Sequence, residues 1–498
     1  MGPSLSPEEL ARTRPAESLR FASPVPTRMV SNGEFTPLPQ TTLQKQFERR
    51  LAALAADLGK RQGMSRRAFL RTAAGMAAAF VAMNEVFGPN FVVSSAEAAD
   101  PNQAAERARR LARQFVFDDQ VHFLRDQTRH ARFIGLRGYT SGFLNPQMGD
   151  PGNLESLKFR NFVKEVFMDS DTKVALLSSA PSDNPEDWFL TNDETAAAKA
   201  AVNRDAGSTR LLCHAVLTPG QPGWLDEMDR VHANIKPDSW KGYTTGDPNG
   251  PSKFMWRMDD EKLVYPAYER MRKAGVKIVC VHKGLLPGDA EKQMPGVTRH
   301  SMVDDVGRAA KDFPDITFVV YHAGYHPLPR PNADQERAFE QSGSMPWVSD
   351  LAALPEKLGV KNVYADIGAA FALTATTNPR YCAGLLGTLI KGLGADHVFW
   401  GTDSIWFGSP QWQIEAFRRI EIPGDLQKKF GYAPLGDAEG PVKTAILGGN
   451  GAKLYGLKTT TAAAEPNWDN DRFALMKAEY ERAGTNRSNR AYGYVARG

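Results

Sequence analysis

From Phe115 onward the chain repeats one pattern: a short apolar run, a turn, then a stretch with apolar positions three and four apart. The apolar runs are "FVFDDQVHF" at 115–123, "KVALLSS" from Lys173, "TRLLCHAVL" from Thr209 and "SWKGYT" from Ser239. They continue with "KIVCVHKG" from Lys277, "ITFVVYHAG" from Ile316, "NVYADIG" from Asn362 and "HVFWGTDS" from His397. Helical patterns come after most of them, such as "DDEKLVYPAYERMRKAG" from Asp259 and "PRYCAGLLGTLIKGLGA" from Pro379. Strands alternating with helices argue for a parallel sheet, and eight units predict an α/β fold of the (β/α)8 TIM-barrel type. "SWKGYT" is the weakest strand signal of the eight, and no internal sequence repeat is visible.

Ahead of the alternation lies a different pattern. "SRRAFLRTAAGMAAAFVAMNEVFG" pairs Arg66 with Arg67, continues with an Ala-rich apolar run, and leads to small residues at Ala96 to Ala98. Basic, apolar and small-residue regions in that order predict a secretory signal over Ser65–Ala99, and the arrangement resembles a twin-arginine signal. About 64 residues precede the arginines, a long front for such a signal. An ordinary Ala-rich helix is the alternative. The chain thus divides into an N-terminal extension (1–99), a barrel (110–457), and a C-terminal helix with a loose tail (458–498). The expected partner is the twin-arginine export machinery and the expected destination the periplasm; residence in the cytoplasm is the alternative.

Charge changes the picture only when it is divided. Of the 61 Lys and Arg, 12 fall in residues 1–71 against 6 of the 57 Asp and Glu, so the front carries the basic excess and the body is slightly acidic. A near-neutral body excludes a nucleic-acid surface. Cys213, Cys280 and Cys382 are too few for a disulfide framework. No stretch has the apolar length of a stable transmembrane helix, so an integral membrane protein is not expected.

The chemistry gathers at strand ends. His122 closes the first run, His282 the fifth, His322 the sixth and Asp403 the eighth, and barrels carry their reacting groups at that end. In the first run Asp118, Gln120 and His122 alternate, so all three are expected on one face. Imidazole and carboxylate together suit zinc or a similar divalent ion, which makes bound water acidic enough to ionise near neutral pH. His214 falls in mid-strand, where packing explains it; His130, His232, His300 and His397 read as structural. Trp256, Trp406 and Phe407, with the loops "NPQMGDPGN" and "HAGYHPLPRP", suggest a pocket for an apolar or aromatic substrate.

The motifs "DDQVH" at 118–122, "VHKG" at 281–284, "YHAG" at 321–324 and "GTDS" at 401–404 occur in the order of a known family. Together with "DSDTKVALLSSAP" from Asp169 and "AILGGNGAKLYGL" from Ala445, they make the body resemble the amidohydrolase-related proteins (amidohydrolase 2) of the metal-dependent TIM-barrel hydrolase superfamily, over residues 110–457. That group also holds aminocarboxymuconate-semialdehyde decarboxylase. The resemblance implies one divalent metal ion, zinc first with manganese or iron as alternatives, held by His122, His282 and Asp403. It implies an acid/base role for His322, and for Asp403 a second role as proton acceptor. Gln120, the fourth candidate metal ligand, stands where the family has its first histidine. Its amide oxygen is a weaker ligand than imidazole, so it puts a binuclear centre in doubt.

The expected activity is hydrolysis of a C–N or C–O bond in a small organic molecule. A non-oxidative decarboxylase of the same family is the first rival, with Arg132 and Arg137 as candidates to hold a carboxylate. A non-catalytic exported binding protein is the second. Self-association to a homo-oligomer is left open.

Overall fold

Strands whose residues are apolar on both sides can only be satisfied where both faces of a sheet are covered. The computed structural model, which describes residues 23–31, 38–131, 134, 135, 138, 154–460 and 466–484, shows that arrangement. The strands are β1 (Phe117–Val121), β2 (Val174–Leu177), β3 (Leu211–Leu217), β4 (Ser239–Tyr243), β5 (Ile278–His282), β6 (Leu286–Pro287), β7 (Thr317–Tyr321), β8 (Pro327–Leu328), β9 (Val363–Asp366) and β10 (Val398–Phe399). Eight of them form one sheet in the order β1-β2-β3-β4-β5-β7-β9-β10, every pair parallel, and β6 pairs with β8 in a small ribbon beside the mouth. All eight predicted strands are present, including "SWKGYT". The sheet curls on itself: Asp119 N–H donates to Trp400 O at 3.0 Å, Asp403 N–H to Gln120 O at 2.9 Å and His122 N–H to Ser404 O at 2.6 Å. These bonds join the first strand to the last, so the fold is an α/β barrel with helices outside.

Inward and outward residues alternate along the strands. Outward apolar groups such as Val279, Val281, Phe318 and Val320 join the main core beneath the helices. Inward groups form two separate clusters, Phe115, Phe117, Val174, Leu176 and Leu212 in one, Cys280, Val319, Tyr321 and Phe399 in the other. Leu454 and Tyr455, from the helix Asn450–Tyr455, pack against them and stopper the N-terminal end of the barrel.

The first strand departs from simple alternation. The β1–β2 register shifts between Asp118 and Val121, a bulge that inserts one residue. Asp118 therefore does not share a face with Gln120 and His122, contrary to the period-two reading. Its carboxylate accepts hydrogen bonds from Thr402 N (2.9 Å), Thr402 Oγ1 (2.5 Å) and Gln120 N (3.3 Å), which ties the two ends of the sheet together beside Asp403.

Before the barrel come the helices Thr42–Arg61, Ala73–Phe87 and Pro101–Leu111; the second packs on the other two, and Phe80, Arg107 and Leu111 meet Arg419, Glu415 and Arg418 of the helix Gln411–Arg419. After it comes the helix Arg472–Arg482. Among the described residues no helix is long and apolar enough to cross a membrane. Arg132, Arg137, the "NPQMGDPGN" loop and the end of the tail lie outside the described residues.

Candidate functional site

His122, His282, His322 and Asp403 meet at the C-terminal mouth, although they are up to 281 positions apart in sequence. Each owes its place to its strand. β5 runs inward at Ile278, Cys280 and His282, so its last residue caps the inner face. β7 ends at Tyr321, and the chain then turns sharply: His322 has φ +65° and Ala323 φ +52°. Asp403, φ +56°, lies in the equivalent turn after β10. Left-handed backbone at non-glycine residues is costly and persists only where neighbours hold it. Asp366, at the end of β9, does so for His322: its Oδ1 accepts His322 N–H at 3.1 Å and both oxygens accept Gly368 N–H.

The side chains pair. His282 Nδ1 faces His322 Nε2 at 2.9 Å, and His122 Nε2 faces Asp403 Oδ1 at 3.0 Å. Gln120 Nε2 lies 3.5 Å from both His122 Nε2 and His322 Nε2, between the two pairs. The His322 tautomer is set by its partners. Gly368 O, 3.0 Å from Nδ1, can only accept, so Nδ1 carries the hydrogen and Nε2 the lone pair; His282 Nδ1–H is then the donor across the pair. Burial pushes the His322 imidazole down to about 4, against the pull of the Asp403 carboxylate, and burial with the neighbouring His322 holds His282 well below its ordinary value. Both rings are neutral at neutral pH, the form that binds metals and accepts protons. Burial raises the Asp403 carboxyl, but the hydrogen bond and charge of His122 outweigh it, so Asp403 stays below the usual carboxylate range.

The donors match a divalent ion in kind: three imidazoles and a carboxylate, with buried Asp403 Oδ2 and Gln120 Oε1 lacking hydrogen-bond partners. They are nonetheless engaged with one another in pairs. Among the described residues no group of three or more His, Cys, Asp or Glu side chains stands ready as a metal cluster.

Above these groups opens a cavity of about 390 Å³. Phe189, Tyr243, Leu286, Met294 and Trp406 form much of its wall, with Asp247 and Asp289 as its carboxylates beyond the floor. Trp406 stacks on His122 (5.7 Å, 27°) and Tyr243 on His282 (5.2 Å, 25°), fixing both rings. Of the aromatic residues expected to shape the pocket, Trp406 lines it, whereas Trp256 and Phe407 are buried in the core. His326 packs at a tilt against Trp347 (4.1 Å, 45°) and is not part of the floor. His214 is a satisfied core histidine, bonded to Tyr321 Oη and Ser239 Oγ at 2.8 Å each.

A polar layer beneath the floor escaped sequence reasoning. The bulge turns Asp119 toward Asp366; the two carboxyls are hydrogen-bonded, and burial raises Asp119 well above its ordinary value and Asp366 to about 6. Lys241 lies with them, its Nζ 3.2 Å from the Tyr321 ring centroid, and burial lowers it to about 8. Gly401 faces this layer, where a Cβ would sit 2.0 Å from Asp366 Oδ2 and 2.7 Å from Asp119 Oδ1. Asp366 ends its strand as His282 does, and that signal could have found it. Asp119 carried no such mark, because alternation alone sends it outward.

A parallel barrel with imidazoles and a carboxylate at its C-terminal mouth defines a class of protein whose working groups sit on strand ends. Within that class, the sequence signature of the family described as Amidohydrolase (Amidohydro_2) matches residues 191–457, and the chain belongs to that family. No curated protein matches the chain. Among solved structures it is similar to 2,6-dihydroxybenzoate decarboxylase from Rhizobium, at 14% identity and TM-score 0.41 over 69% of this chain and 99% of that one. It is also similar to 5-carboxyvanillate decarboxylase from Novosphingobium aromaticivorans, solved with bound manganese (13%, TM-score 0.42, 69% and 97%). A third is a putative 2-pyrone-4,6-dicarboxylic acid hydrolase from Pseudomonas putida (16%, TM-score 0.39, 69% and 98%).

Proposed function

We propose that the chain is a metal-dependent hydrolase that cleaves a C–N or C–O bond in a small, largely apolar substrate without a carboxylate at the reacting end. One observation carries the reading: among the described residues, the wall of the cavity holds aromatic and aliphatic groups, the neutral polar Thr245, Asn249 and Gln293, and the carboxylates of Asp247 and Asp289, but no lysine or arginine. A decarboxylase must take an anionic substrate out of water and offset its charge. Beyond the ion at the floor, this wall offers an anion no cationic partner, which favours a neutral ester, lactone or amide.

His122, His282 and Asp403 are the residues that would hold the ion, which when bound supplies a water nucleophile at neutral pH. Asp403 Oδ2, ionised and without another hydrogen-bond partner, accepts the proton of the attacking water. His322 Nε2, kept as a lone-pair acceptor by the Nδ1–H bond to Gly368, takes that proton onward and returns it to the leaving group. Phe189 and Trp406 shield the reacting groups from bulk water and pack against the apolar part of the substrate.

The test is a panel of neutral aromatic esters, lactones and amides beside aromatic carboxylic acids, assayed with zinc or manganese. Hydrolysis of the neutral set with no carbon dioxide from the acids is expected. Carbon dioxide release would make the protein a lyase. Binding without turnover in either set would make it a binding protein.

A further inference from the structure

The signal-like segment is built into the fold. Thr41 caps the helix Thr42–Arg61 through a capping box with Gln44, and Gln44, Phe47, Leu51, Ala55 and Leu58 line its buried face. Ser65 and Thr72 cap the next two helices, making a tight elbow at which a Cβ on Gly75 would lie 2.3 Å from Phe69 O. On the helix Ala73–Phe87 every residue from Ala74 to Met83 is buried. The apolar run that reads as a signal core is therefore covered all round by protein.

Specific bonds tie residues 84–100 to the barrel. Asn84 Oδ1 accepts Asn90 N–H and Phe91 N–H, and its Nδ2 donates to Phe91 O. Val92 N–H donates to Arg419 O at 2.6 Å and Glu421 N–H to Asn90 O at 2.8 Å, a short antiparallel pairing at the end of the helix Gln411–Arg419. Glu97 takes Arg419 in a two-pronged ion pair (2.5 and 3.1 Å), both side chains almost fully buried. Ala98, the last small residue of the expected cleavage motif, is 2% exposed and sits in the helix Ser95–Ala99, where Asp100 N–H bonds back to Ala96 O at 2.9 Å. A peptidase needs its target bond extended and reachable, so this one is closed unless the segment unfolds. Arg66 and Arg67, by contrast, are exposed on the elbow.

We propose that residues 42–99 remain in the mature protein as a helical subdomain docked on the helix Gln411–Arg419, with the twin arginines displayed on its surface and the bond after Ala98 protected from signal peptidase. The segment is then a structural part that carries an address, and reading the address does not require removing the part.

The test uses the full chain, incubated folded with bacterial signal peptidase and read by intact mass. An unchanged mass is expected; loss of everything up to Ala98 from the folded chain overturns the proposal. A second measurement compares the full chain with one that starts at residue 100. The shorter chain should melt at a clearly lower temperature or fail to fold, whereas an unchanged midpoint overturns the proposal by showing that the subdomain is dispensable.

Discussion

Replacing Glu97 by alanine removes the carboxylate paired with a buried arginine. Its partner Arg419 is 2% exposed, faces Phe80 at 5.4 Å and keeps one remaining carboxylate in reach, Glu415 Oε2 at 3.4 Å. Breaking a buried ion pair by deleting one member costs roughly 3–5 kcal/mol, because the other charge is left without its partner. Glu415 remains close, so the lower end applies, about 3 kcal/mol. Glu97→Gln keeps the shape and one acceptor but loses the charge assistance, and should cost about 1–2 kcal/mol. The double variant Glu97→Leu with Arg419→Met removes both charges and should recover most of the loss. Urea unfolding tracked by tryptophan fluorescence reads these proteins together with the single variants Glu97→Leu and Arg419→Met. A Glu97→Ala cost below about 0.5 kcal/mol, or a double variant no better than the sum of its singles, would refute the reasoning.

Zinc or manganese added to chelator-treated protein should raise its melting temperature, with about 2.7 kcal/mol of stabilisation at a free concentration a hundredfold above Kd, and His282→Ala should abolish the rise. Asp366→Ala removes the acceptor that holds His322 N–H and Gly368 N–H, and a displacement of His322 by about 1 Å should cost roughly a hundredfold in kcat while the fold survives. The His322 imidazole is lowered to about 4 in the folded protein against roughly 6.5 unfolded, so its contribution is complete above pH 6.5 and lost as the pH falls toward 4. That loss is on the order of 3 kcal/mol, and a His322→Gln variant, also chelator-treated, should show a correspondingly flatter fall between urea midpoints at pH 7 and pH 4.5.

The barrel was legible because each strand carries its own signal: both-face burial makes "ITFVVYHAG" or "KIVCVHKG" read as a parallel strand without knowledge of its neighbours. The floor of the site was legible for the same reason, since His122, His282, His322 and Asp403 all close such runs. The pairing of His282 with His322 was not, because it depends on a turn after β7 that local pattern does not encode. Nor was the layer of Asp119, Lys241 and Asp366, since the bulge breaks the count on which facing is read. The docking of the front of the chain was not legible either. An apolar helix flanked by arginines looks the same in sequence whether or not it packs on the flank of a barrel, and the packing depends on long-range partners such as Arg419.

The bulge in β1 also changes what the strand can tolerate. In a regular half-buried strand, substitutions are resisted at every second position and forgiven between them. Here Asp118 ties down Thr402, Asp119 joins the buried carboxyl pair, Gln120 sits between the histidine pairs, Val121 packs in the outer core and His122 meets Asp403. A saturation scan of this strand should therefore find five intolerant positions in a row, and a one-residue deletion there should be harsher than any single substitution. The extra residue lets the short stretch 117–122 place three polar side chains, Asp119, Gln120 and His122, inside the barrel while a fourth, Asp118, fastens the sheet shut.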